Sequence, residues 1–230
     1  MIKNVFLDLD DTILDFQRGE RKAIHHAFTD MGLPVNEEIV ERYIEINLAC
    51  WKALERGEMS RDEVLFGRFK ILFDELSIQA SAAEAQNIYE EYLSREHDFI
   101  PGAKKLLDDF RACGKYRLYM ATNGIPTVQK PRIADSGIGE YFEDIFISEE
   151  IGCAKPKREF FDGCFKRIEG FRREETIIVG DSLTSDIAGG INAGILTCHF
   201  NPRGIGYTEM KPDFTIKNLS ELIPLLDGIE

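Results

Sequence analysis

Asn4-Val5-Phe6-Leu7-Asp8-Leu9-Asp10-Asp11-Thr12 runs from a short apolar stretch directly into three carboxylates. An apolar run of this length, bounded by a polar loop, reads as a strand buried within a sheet. Similar runs occur at Arg117 to Ala121, Ile145 to Ile147, Thr176 to Val179 and Ile195 to Phe200. Segments able to form helices separate them: Gly102 to Ala112, Thr127 to Ser136, Lys157 to Ile168 and Leu183 to Ala193. Such alternation predicts a parallel α/β sheet covered on both faces. Pro131 lies inside the second helical segment and predicts a kink or a late start there.

Between Gln17 and His97 the alternation stops, and amphipathic patterns replace it. Val40, Tyr43, Ile44, Asn47, Leu48, Trp51 and Leu54 share one helical stripe; Val64, Leu65, Phe69, Leu72, Phe73 and Leu76 share another. Ser60-Arg61-Asp62-Glu63 and Ser81-Ala82-Ala83-Glu84 both match the capping box that closes a helix N-terminus. A helical module, residues 17–97, is therefore expected to interrupt a core made of residues 1–16 and 98–230. Ile100-Pro101-Gly102 marks the return, and Leu219 to Leu226 reads as a closing helix.

The acidic loops carry the chemistry. In an extended segment Asp8 and Asp10 point to the same side, because side chains alternate with period two. Two such charges about 4 Å apart repel by roughly 4 kcal/mol at an effective dielectric near 20, so a divalent cation or a shared proton is expected between them. Magnesium suits hard oxygen donors of this kind, and the His and Cys residues form no zinc-like set. A second acidic loop, Gly180-Asp181-Ser182-Leu183-Thr184-Ser185-Asp186, also follows a strand. In an open parallel sheet both loops can converge on the carboxyl edge, where such folds bind ligands. Asp8, Asp10, Asp11, Asp181 and Asp186 are thus expected to gather around a cation, with Asp186 able to act in support. Thr122-Asn123-Gly124 and Ala154-Lys155-Pro156, at two further strand ends, offer a hydroxyl, N–H groups and a cation. Taken alone, each is equally good turn or surface chemistry.

The 230 residues carry a net charge of −13, with 43% hydrophobic and 30% charged residues. That balance fits a folded globular chain and excludes a broad electrostatic attraction to nucleic acid polymers. The five cysteines show no metal-like or disulfide-like spacing. With no signal-peptide pattern and no run long enough to span a membrane, a soluble, cytoplasmic protein is expected.

The order Asp-x-Asp-Asp-Thr, Thr-Asn-Gly, Lys-Pro, Gly-Asp-x4-Asp, spanning Asp8 to Asp186, resembles the haloacid dehalogenase superfamily. The resemblance implies a Rossmann-like core and makes the helical insertion similar to that superfamily's C1-type cap. Within it, the chain is similar to the pyrimidine 5′-nucleotidase subgroup. The similarity rests on Asp8 to Phe16, Ile46-Asn47 with Trp51, Ser60 to Val64, Arg68-Phe69, Gly180 to Ile187 with Gly189-Gly190, and Asn201-Pro202. Pro131 and His199 depart from the pattern, the latter standing where a larger aromatic is expected.

By this resemblance Asp8 is a nucleophile that forms an aspartyl phosphate, and Asp10 is the acid and base. Thr122, the Asn123 backbone and Lys155 bind the phosphoryl group. Asp8, the Asp10 carbonyl and Asp181 hold Mg2+, with Asp186 supporting. The implied activity is hydrolysis of a small phosphorylated substrate, a nucleoside 5′-monophosphate with pyrimidine preference. A sugar-phosphate phosphatase or a phosphomutase is the alternative, and a noncatalytic phospho-acceptor is the reading from a different class. Asp10 disfavours dehalogenation, because the superfamily's dehalogenases lack that second aspartate. Trp51 is expected to pack within the helical module more than to stack on a base. Arg61, Arg68 and the pair His25-His26 are expected on exposed helix surface.

Overall fold

The computed structural model describes all residues except 205, 207–209 and 230. Among the described residues, six strands form one parallel sheet: β1 (Asn4–Leu7), β2 (Arg117–Thr122), β3 (Asp144–Ile147), β4 (Thr176–Gly180), β5 (Leu196–Phe200) and β6 (Phe214–Ile216). Their order is β3-β2-β1-β4-β5-β6. All five expected strands are present. The edge strand β6, three residues long, is too short to stand out in the sequence.

Alternation along the strands builds two cores. Val5, Leu7, Leu118, Met120, Ile177 and Val179 belong to one face, and Phe6, Tyr119, Ala121, Phe146 and Ile178 to the other. On the second face Phe6 stacks on Tyr119 with ring centroids 5.3 Å apart. Both faces are covered, so the strands are apolar throughout instead of alternating with polar residues.

Four helices follow β1: α1 (Phe16–Asp30), α2 (Glu37–Glu55), α3 (Arg61–Glu75) and α4 (Ala82–Leu93). They pack around a hydrophobic cluster of their own, including Phe28, Tyr43, Phe69, Phe73 and Tyr89. Ser60 and Glu63 close a reciprocal capping box at the start of α3. At α4 only half of the expected box forms: Ser81 accepts from the Glu84 N–H. The segments entering and leaving these helices pair through an antiparallel bridge between Leu14 and Phe99.

The remaining helices are α5 (Ala103–Cys113), α6 (Pro126–Ser136), α7 (Ser148–Ile151), α8 (Arg158–Phe165), α9 (Ala188–Ala193) and α10 (Leu222–Asp227). Of the kink or late start expected from Pro131, the late start does not occur. The helix begins at Pro126, whose fixed φ suits the first turn, and Pro131 lies inside it. The expected helix from Leu183 opens as a π-helical turn, Leu183–Ile187, before α9. No helix among the described residues is long and apolar enough to cross a membrane.

Candidate active site

The chain runs from β1 outward to β2 and β3, then returns to build β4 on the other side of β1. This reversal places the loops after β1, β2 and β4 side by side at the carboxyl edge. Leu7 is in register with both Met120 and Val179, so Asp8, Thr122 and Asp181 emerge together. The Asp8 N–H donates to the Val179 carbonyl at 3.0 Å, extending the ladder by one bond before the loop departs.

Lys155 sits at the centre, 2% exposed. Its Nζ donates to Asp8 Oδ1, to Asp186 Oδ1 and to the Ala121 carbonyl, each at 2.6 Å. Asn123 fixes the lysine's main chain, donating to its carbonyl and accepting from its N–H, both at 2.9 Å. Burial works against the Lys155 ammonium, but the charges of Asp186 and Asp8 outweigh it and raise its pKa. Burial and the charge of Asp186 push Asp8 up to about 8, with Lys155 opposing. Asp186 Oδ2 accepts the Ser182 N–H at 3.1 Å, so both of its oxygens are engaged. A Cβ on Gly180 would lie 2.2 Å from that oxygen, and a glycine at the strand end is what admits the carboxylate.

Asp8, Asp181 and Asp186 each present an oxygen within 4.8 Å of the others. Among the described residues none donates a hydrogen bond to the Asp181 carboxylate. Burial, then the charges of Asp8 and Asp186, raise its pKa well above the ordinary carboxylate range. A set of hard oxygen donors, one of them unpaired and disfavoured as an anion, fits a divalent cation such as magnesium.

The expectation that five aspartates gather there requires correction. Asp10 has its carboxylate bound by Arg132 and Gln129 of α6, at 2.5 and 2.7 Å. Its charge is thus met by the Arg132 guanidinium. Asp11 adopts a left-handed φ of 58° and caps Gln17 through both carboxylate oxygens. The chain turns at Asp11, so neighbours in sequence reach different partners.

Thr122 ends β2, buried, with its Oγ1 accepting the Gly124 N–H at 3.1 Å. Thr12 links the two acidic loops, donating to Asp8 at 3.4 Å and accepting the Asp181 N–H at 3.2 Å. His199, buried, meets the Asp181 carbonyl through Nε2 at 2.8 Å.

Above these residues lies a cavity of about 440 Å³, within the size range of small-molecule sites. Its floor holds Asp8, Thr122, Lys155 and Asp181, and Ile44, Leu48, Trp51 and Leu65 of the helical insertion supply an apolar wall. Trp51 packs on the insertion's cluster, as expected, and also lines the cavity.

Of two arginines expected on exposed surface, one is buried and the other half-buried. Arg68 is 3% exposed. It donates to Asn47 at 2.6 Å and Gln86 at 2.7 Å, and its guanidinium lies 4.9 Å from the Tyr89 ring centroid. Arg61 crosses to the sheet edge, donating to the Asn123 carbonyl at 3.0 Å and Ser148 Oγ at 2.8 Å. His25 and His26 are exposed, as expected. Sequence reading also passed over Gln129 and Arg132. The available signal was two long polar side chains sharing the buried stripe of α6 with Val128 and Ile133.

A parallel sheet with this acidic edge, its lysine and a helical insertion after the first strand defines a class of hydrolase. A family model for haloacid dehalogenase-like hydrolases matches residues 2–194, and the chain belongs to that family. It is 39% identical over 226 residues to YfnB of Bacillus subtilis (strain 168), named a HAD-hydrolase, covering 98% of this chain and 95% of that one. A magnesium-bound crystal structure of YfnB matches with a TM-score of 0.93 over 99% of both chains. The chain is also 35% identical to the pyrimidine 5′-nucleotidase PynA of Streptococcus pneumoniae (strain ATCC BAA-255 / R6), covering 98% of this chain and 95% of PynA. It is 30% identical to the pyrimidine 5′-nucleotidase YjjG of Escherichia coli (strain K12), covering 96% of both chains.

Proposed function

We propose that this hydrolase is a magnesium-dependent phosphomonoesterase that cleaves nucleoside 5′-monophosphates, with pyrimidine nucleotides preferred. The observation that carries the reading is the convergence of Asp8, Lys155, Asp181 and Asp186 on the floor of an apolar-walled cavity. Two relatives named as pyrimidine 5′-nucleotidases support the choice of substrate. Residues 17–97 act as the cap that encloses the leaving group, and residues 1–16 with 98–230 form the catalytic core. The five free cysteines fit a reducing compartment, which we take to be the cytoplasm.

Asp8 attacks the phosphorus in line, forming a P–O bond to its carboxylate as the ester P–O bond breaks. Covalent attack divides one hard displacement into two easier ones. Asp10 donates a proton to the departing alkoxide, then takes one from the water that attacks the aspartyl phosphate. Thr122 and the Asn123 backbone hold the phosphoryl group, while the fixed charge of Lys155 offsets its oxygens without reorganising. Asp8, the Asp10 carbonyl and Asp181 would hold magnesium, with Asp186 supporting. Bound there, the ion supplies Lewis-acid neutralisation of phosphoryl charge. Asp186 keeps Lys155 between the two loops.

The test is a magnesium-containing panel of nucleoside monophosphates, sugar phosphates and an activated aryl phosphate, run on wild type and Asp8→Asn. Release of many phosphates per chain from pyrimidine nucleotides, lost in the variant, is expected. Preference for sugar phosphates, interconversion of sugar isomers, or stable single phosphorylation would each overturn the substrate assignment. Undiminished turnover by Asp8→Asn would overturn the mechanism.

A further inference from the structure

Asp10 is held at both carboxylate oxygens by one helix. Arg132 Nη1 donates to Oδ1 at 2.5 Å, and Gln129 Nε2 donates to Oδ2 at 2.7 Å. The two residues stand three apart on α6, on the same face, and each is 1% exposed. Arg132 Nη1 also donates to Gln129 Oε1 at 2.8 Å, so the pair is joined before it reaches Asp10.

Each member has a second anchor. Gln129 Nε2 donates to Thr122 Oγ1 at 2.9 Å, tying the position of Asp10 to the end of β2. Arg132 Nε donates to the Glu96 carbonyl at 2.7 Å, on the segment leaving the helical insertion. Gly124 makes room for this arrangement: a Cβ there would lie 2.1 Å from Gln129 Nε2.

Burying a guanidinium is unfavourable unless it is paired, and an apolar side chain would fill the same space without that penalty. A buried charged pair beside one carboxylate, with Arg132 Nη2 left without a hydrogen-bond partner, fits a requirement for geometry better than a requirement for stability. A group that gives a proton to a leaving oxygen must stand within hydrogen-bond reach of it. A carboxylate on a loop, free to turn about two torsions, does not hold that position unaided.

We propose that Gln129 and Arg132 are positioning residues for proton transfer by Asp10, holding its carboxylate by both oxygens and aligning it with Thr122 and the Glu96 segment. The proposal rests on the phosphomonoesterase reading above. Both residues line the cavity, and each bonds the Asp10 carboxylate directly, which is the route by which they act on proton transfer.

The experiment measures kcat/KM, which reports steps up to phosphoryl transfer, for uridine 5′-monophosphate and 4-nitrophenyl phosphate. It compares wild type with Gln129→Met, Arg132→Met and Arg132→Lys, all in magnesium and all checked for a wild-type melting transition. The nucleotide leaves as a poor alkoxide and needs the proton, whereas the aryl oxide does not. Loss of positioning should lower kcat/KM for the nucleotide about tenfold or more, part of the factor that acid catalysis contributes. For the aryl ester the fall should be less than about threefold. Arg132→Lys should recover part of the loss, and adding Gln129→Met to Asp10→Asn should change the nucleotide value no further. If Arg132→Met does not fold, Gln129→Met carries the test, since its side chain keeps the length and loses only the amide. Equal losses on both esters, or none, would overturn the proposal while leaving the phosphomonoesterase reading intact. Failure of wild type to hydrolyse either ester would remove both.

Discussion

Lys155 Nζ and Asp186 Oδ1 lie 2.6 Å apart, with both side chains 1% exposed. The same ammonium reaches Asp8, so a single buried cation separates two carboxylates drawn from the segments after β1 and β4. Removing one partner of a buried pair leaves an uncompensated charge and costs about 3–5 kcal/mol. Lys155→Met should therefore lower the melting temperature by roughly 10 °C and abolish turnover. Thermal unfolding checks this, and a variant melting within about 2 °C of wild type would show that the pair contributes little.

Asp181 is the carboxylate of the cluster that no described residue satisfies. Saturating magnesium should stabilise the protein by mass action, about 2.7 kcal/mol at one hundred times Kd, or roughly 5 °C or more. Chelation should reverse the shift, and Asp181→Asn should remove most of it. A full magnesium shift in that variant would place the ion elsewhere.

Arg61 carries two hydrogen bonds from the start of α3 to the loops after β2 and β3. Hydrogen bonds from a charged donor contribute about 1.5–3 kcal/mol each. If they hold the cavity closed over substrate, Arg61→Ala should lower kcat/KM by about tenfold or more, through KM more than kcat. Steady-state kinetics with the preferred nucleotide decide the matter, and an unchanged KM would refute the role.

Glu20, on α1, accepts from Asn47 Nδ2 at 2.5 Å inside the insertion. Burial pushes its pKa up to about 8, with Arg68 and Asn47 opposing, from an ordinary value of 4.5. The folded chain then holds this proton more tightly than the unfolded chain. That contribution to stability is complete below 4.5 and is lost as pH rises toward about 8. Glutamine cannot ionise, so the melting temperature of Glu20→Gln relative to wild type should rise between about pH 5 and pH 8, by about 3 °C or more. A difference that stays flat across this range would show Glu20 ionised in the fold.

What the sequence made legible follows from short-range rules. Apolar runs ending in Asp8, Thr122 and Asp181 mark strands whose ends share an edge, and the stripes through Tyr43 and Phe69 mark helices. Both are local periodicities, which survive reading one residue at a time. The edge strand β6 lacked such a pattern, having only three residues.

Charge pairing was not legible in the same way. Sequence placed Asp8, Asp10 and Asp11 together because they are neighbours along the chain. The fold gave each a different partner: Lys155 for Asp8, Arg132 for Asp10 and Gln17 for Asp11. Arg61 and Arg68 read as ordinary exposed charges because burial is a property of the surroundings, and those surroundings are Asn123 and Ser148 in one case, Asn47 and Gln86 in the other. By itself the sequence determined the sheet, the inserted helices and the order of the acidic, threonine and lysine motifs, because these follow from hydrophobic period and turn chemistry. Only the tertiary structure decided which cation meets which carboxylate. The partners lie 147 residues apart for Lys155 and Asp8 and 122 apart for Arg132 and Asp10, and contact at that separation is set by packing.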